Sequence, residues 1–100
     1  MDPAIETLQR LVRDAVDALT RRNRAGRPER ERRDDLTRAG FLHEDAATMV
    51  RALRRQDDLD AESCAVLAAV ETELRDLRLL LSHVLTAEPG RPARRDTMGA

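Results

Sequence analysis

The sequence predicts an all-α fold: a small bundle of three to four helices with a long C-terminal helix, completed by oligomerisation. Three observations lead there. Apolar residues recur at alternating steps of three and four, the period of one helical face. Phe41 is the only aromatic residue, and Trp and Tyr are absent, so the core is built from Leu, Val, Ile, Ala and Met, which suits helix-on-helix packing better than a sandwich or barrel. Finally, a chain of 100 residues buries only a modest share of its surface, a shortfall that small chains commonly make up by association.

The first element is a helix over 3–21. Asp2 is an N-cap and Pro3 occupies the first helical position, where its missing N–H costs nothing. Ile5, Leu8, Val12, Ala15 and Leu19 form its apolar stripe, widened by Leu11 and Val16. From Thr20 to Asp35 no large apolar residue occurs, and Asn23, Gly26 and Pro28 mark a surface connection. Pro28 can open a short second helix over 29–38, with Glu29 and Glu31 near its positive end. Gly40 then reads as its C′ residue.

Phe41 and Leu42 are expected to return to the core. A third helix over 43–56 follows, with Leu42, Ala46, Met49, Val50 and Leu53 on one face. Asp57 to Asp60 turn the chain, and Asp60 caps a last helix over 61–86, with Leu59 stapled against Cys64. Leu67, Val70, Leu74, Leu77, Leu81 and Val84 make this the cleanest stripe in the chain. Glu71 and Arg75 are expected to pair at i, i+4 on its exposed side. The reading gives one helical domain over 1–87 and a flexible tail over 88–100, rich in Pro, Gly and Arg.

The formal net charge is −1, so there is no global basic signature of a nucleic-acid binder. Locally the charges segregate. Residues 21–33 hold seven Arg against Glu29 and Glu31, whereas residues 57–76 hold seven acids against Arg75. The basic cluster has two readings: a phosphate-contacting loop, or a solvated loop paired with the acidic 57–76 face of the same chain or a neighbour. All eighteen basic residues are Arg, in keeping with a GC-rich coding sequence. The guanidinium fork also favours bidentate recognition of carboxylate or phosphate.

Cys64 cannot form an internal disulfide alone, and no charged-then-apolar leader opens the sequence. No apolar run approaches the roughly 18–20 residues of a membrane span. The expected location is therefore cytoplasmic. Cys64 and His83 lie about 28 Å apart along one helix at 1.5 Å per residue, so they cannot share a metal ion within one chain, and Cys64 is expected to be a small buried hydrophobe. Gly-rich phosphate loops and nucleophile elbows are absent from the sequence. No cofactor and no metal are expected.

In the first helix, LQRLVRDAVDAL, an Arg is followed by acids four and seven residues on, here Arg10, Asp14 and Asp17. This resembles the opening helix of AroQ-type chorismate mutases, which are intertwined helical dimers. The resemblance covers about fifteen residues and implies Arg10 and Arg27 as ligands of a substrate carboxylate.

Three functional expectations follow in order. The first is a non-catalytic interaction or regulatory protein, an adaptor or assembly module acting through an oligomeric helix-packing surface of Leu77, Leu80, Leu81, Val84 and Leu85. Its partners would be a second copy of itself and another protein. The second is a small DNA-associated transcriptional regulator using the Arg-rich loop: Arg21, Arg22, Arg24 and Arg27, then Arg30, Arg32 and Arg33. The third is a chorismate-mutase-like enzyme.

Overall fold

The computed structural model describes residues 1–87 and is all-helical. Among the described residues there are three helices and no strand: α1 (Pro3–Arg22), α2 (Glu29–Arg54) and α3 (Ala61–Ala87). The expected tail over 88–100 lies outside the described residues.

α1 starts as its sequence requires. The Asp2 carboxylate accepts a hydrogen bond from the Ala4 N–H at 2.9 Å, and Pro3 opens the first turn. Its core face is Ile5, Leu8, Val12, Ala15, Ala18 and Leu19. Val16, expected on that face, is exposed, because the stripe continues through Ala18 on the side where α1 meets its neighbours. The helix ends at Asn23, and the connection then passes through Gly26 at φ +78°, a left-handed conformation that glycine adopts without strain.

α2 corrects the expectation of two helices over 29–38 and 43–56. The chain is one continuous helix from Glu29 to Arg54, running through Gly40 without a break. The reason lies in the register. Leu36, Ala39, Ala46, Val50 and Leu53 are all buried, and Ala39 and Ala46 are two turns apart, so the apolar stripe keeps one phase across the glycine. A glycine inside a helix costs about 1 kcal/mol relative to alanine, too little to break a helix whose two halves are held by the same neighbours. Phe41, expected in the core, is 69% exposed; in the continuous helix its position falls off the buried stripe. Leu42 is half-buried and packs at the margin of the core.

α3 is capped by Asp60, whose side chain accepts from the Ser63 N–H at 2.7 Å. That hydrogen bond holds the Asp60 carboxyl below its ordinary acidity range. Ser63, Leu67, Val70, Leu74, Leu77 and Leu81 face inward. Cys64 is exposed, not a buried hydrophobe: at that turn Ser63 takes the inward position, and its hydroxyl accepts the Asp2 N–H at 3.1 Å. Leu59 is half-buried against the core, and the exposed Cys64 reaches it only through its thiol, 3.9 Å from the Leu59 carbonyl oxygen.

α1 and α2 form an antiparallel hairpin. α3 lies alongside α1 in the same direction, since Asp2 meets Ser63 and Val12 and Val16 share a shallow cleft with Glu73. α2 contacts α3 through His43, whose Nε2 lies 3.3 Å from the Leu74 carbonyl, and through Arg54, which holds Glu71. One buried apolar cluster, running from Ile5 to Leu81, joins all three helices.

Candidate interaction surface

The basic connection is a structural clasp at its centre. Arg27 donates through Nε to Asp35 Oδ2 at 2.9 Å and through Nη2 to Asp35 Oδ1 at 3.0 Å, while its Nη1 reaches Glu31 at 2.6 Å. Arg21 adds a second cation, its Nε 3.8 Å from Asp35 Oδ1. Asp35 is buried, and the hydrogen bonds from Arg27 hold its carboxyl below the ordinary value and raise the guanidinium in return. Gly26 makes this possible: the left-handed turn brings Arg27 back over the first turns of α2.

Arg21, Arg27 and Arg33 find their carboxylates nearer than the acidic 57–76 segment of the same chain. These carboxylates come from α2 itself, Asp35 and Glu31 for Arg27 and Glu29 for Arg33 at 3.7 Å. Arg22 is buried and donates to the Asn23 side chain at 3.0 Å. Of the seven arginines, Arg24, Arg30 and Arg32 are left at the surface or its edge, on the connection and the start of α2.

Glu71 was expected to pair with Arg75. Its carboxylate is taken instead by Arg54 of α2, whose Nε donates to Oε2 at 3.0 Å and whose Nη2 closes the second arm of the fork. A bidentate guanidinium arriving from a neighbouring helix outcompetes a flexible pair along one helix. The Glu71 carboxyl is lowered by that bond first, with Arg75 contributing only its nearby charge.

The five leucine and valine positions proposed for an interface divide into two sets. Leu77 (2% exposed) and Leu81 (8%) are spent in the chain's own core, and Val84 is half-buried against it. Leu80 (56%) and Leu85 (39%) are exposed, as is Leu79 (65%). The sequence stripe is correct, and that is why its central members are unavailable to a partner: they sit where the intrachain core needs them. Leu79 belongs to the opposite side of α3, which it shares with exposed Ala61, Ala65, Ala68 and Thr72 and with the charged Arg75 and Asp76. Its signal in the sequence is a second, small-residue stripe in heptad register.

Arg10 is exposed on α1, while Arg27 holds Asp35 and Glu31, so one of the two implied carboxylate ligands already has carboxylate partners. Among the described residues no cluster of three or more His, Cys, Asp or Glu side chains has the geometry for a metal ion. No helix among them is long and apolar enough to cross a membrane. Comparison with protein-family models, with curated proteins and with solved structures finds no match to this chain.

Proposed function

We propose that this chain is a non-catalytic interaction module that works by self-association through the exposed surface of the C-terminal turns of α3. One observation carries the reading: with the core filled by Leu67, Val70, Leu74, Leu77 and Leu81, α3 still presents Leu79, Leu80 and Leu85 to solvent. Large apolar side chains grouped within about two turns of one helix are the usual anchors of helix-in-groove and bundle contacts. The arginine clasp supports the same reading by drawing Arg21 and Arg27 into structural roles.

Sedimentation equilibrium across the micromolar range tests it. The native chain is expected to sediment above its monomer mass of 11.3 kDa. The double variant Leu79→Glu, Leu80→Glu should sediment as a monomer with an unchanged helical spectrum. A native chain that stays monomeric throughout, or a double variant that still associates, overturns the proposal.

A further inference from the structure

The end of the bundle where α1 turns into α2 carries positive charge that the fold does not consume. Residues 21–38 hold eight arginines against four acids, Glu29, Glu31, Asp34 and Asp35, whereas the chain as a whole has a net charge of −1. Three of those acids are engaged: Asp35 by Arg27 and Arg21, Glu31 by Arg27, and Glu29 by Arg33. Arg22 is buried beside Asn23, and Arg38 shares a shallow concavity with Asp34 and Asp45. Arg24 and Arg30, both exposed, and the half-buried Arg32 remain. None of these three makes an ion pair among the described residues.

The backbone that presents them is held in place. Backbone hydrogen bonds close successive turns, from the Asn23 N–H to the Leu19 carbonyl, from Arg24 to Arg21 and from Arg27 to Arg24, and the Arg32 N–H donates to the Pro28 carbonyl at 2.9 Å as α2 begins. The Arg27 fork then fastens the end of the connection to Asp35. Charges carried on a backbone that is already ordered lose less freedom on binding than charges on a loose loop.

The chemistry of the partner follows from what this end lacks. No large apolar residue occurs from Thr20 to Asp35. There is thus no apolar centre of the kind around which protein interfaces are built, and no apolar wedge for a bilayer. Phe41 is exposed further along α2, but it sits beside Asp34 and Asp45, two carboxylates that repel a strand stacking its bases there. A partner held by guanidinium forks alone must present a dense and regular array of anions, as the phosphates of duplex DNA do. We infer that Arg24, Arg30 and Arg32 form a sequence-independent contact surface for the phosphate backbone of duplex DNA. The surface uses none of the leucines of the last turns of α3 and does not depend on self-association.

Fluorescence anisotropy of a labelled duplex of mixed sequence, titrated with the full chain at several salt concentrations, tests the inference. Three arginine–phosphate contacts predict a slope of log K against log salt of about −2.7 per chain, so affinity should fall about 40-fold between about 50 and 200 mM salt. The triple variant Arg24→Gln, Arg30→Gln, Arg32→Gln should keep the native helical spectrum and lose the binding together with its salt dependence. A second triple variant, Arg13→Gln, Arg55→Gln, Arg75→Gln, removes the same charge from exposed sites elsewhere and should bind with the native slope. A native chain that does not bind the duplex at about 50 mM salt overturns the inference. Equal losses in the two variants overturn it as well, by showing a response to net charge alone. Phosphatidylserine vesicles or polyglutamate that displace the duplex at equal anion concentration would overturn the assignment to DNA.

Discussion

The continuity of α2 through Gly40 makes a prediction whose sign, and not only its size, is fixed by the backbone. Two of the chain's glycines, Gly26 and Gly40, can be compared directly, because a Cβ added at either one meets no atom within 4 Å. Sterics are thus equal, and only the backbone differs. Gly40 lies inside a helix, where alanine is favoured over glycine by about 1 kcal/mol. Gly26 sits at φ +78°, where an L side chain costs on the order of 1–2 kcal/mol. For a domain of this size a change of 1 kcal/mol moves the melting temperature by about 4–8 °C. Gly40→Ala should therefore raise Tm by several degrees, and Gly26→Ala should lower it by at least as much. Thermal melts followed by far-ultraviolet circular dichroism make the measurement, at one fixed protein concentration because association shifts Tm. If Gly40→Ala destabilises as Gly26→Ala does, residue 40 is left-handed, α2 is broken there, and the argument from register is wrong.

Acidification should destabilise the chain in a defined window. Asp35, Asp60 and Glu71 all ionise more readily folded than unfolded, so the folded state binds fewer protons. Their contribution is complete above the unfolded values near 4 and is lost as pH falls through the lower folded ones. Asp35→Asn should lower Tm at neutral pH and flatten the fall in Tm below about pH 4, and an unchanged acid limb would refute the clasp's role. In the core, Leu67→Ala removes a fully buried side chain and should cost about 2–5 kcal/mol. A chemical-denaturation midpoint close to the native one would show that Leu67 is not packed as described.

How far the fold was legible depended on whether a signal was local or relational. The stripes of α1 and α3 could be read directly: Ile5, Leu8, Val12, Ala15 and Leu19 on one, Leu67 to Leu81 on the other, with Asp2 and Asp60 as caps. α2 was misread because Gly40 and Phe41 are strong local tokens, a helix stop followed by the only aromatic. The opposing signal was spread over fifteen residues, in the shared phase of Ala39, Ala46 and Leu53. Likewise the partner of Arg27 is Asp35, which lies outside the segment that looked basic; the pairing depends on the turn at Gly26, which composition does not encode.

All eighteen basic residues are Arg. At exposed sites such as Arg24 and Arg30 either cation would be solvated, whereas Arg27 and Arg54 use what the guanidinium alone offers. Each places both arms of its fork on one carboxylate, Arg27 at the start of α2 and Arg54 at its end, a geometry that an ammonium cannot reproduce. These two clasps tie α2 to the α1 connection at one end and to α3 at the other, while the leucine stripe supplies the area between them. Polar specificity is therefore concentrated on the inner side of α3, where Glu71 is held. The first turn of α3 is held as well, since the Met1 ammonium lies 3.6 Å from Glu62 and the Asp2 N–H donates to Ser63, so charge and hydrogen bonding fix the start of α3 on the start of α1 as Arg54 fixes its middle on the end of α2.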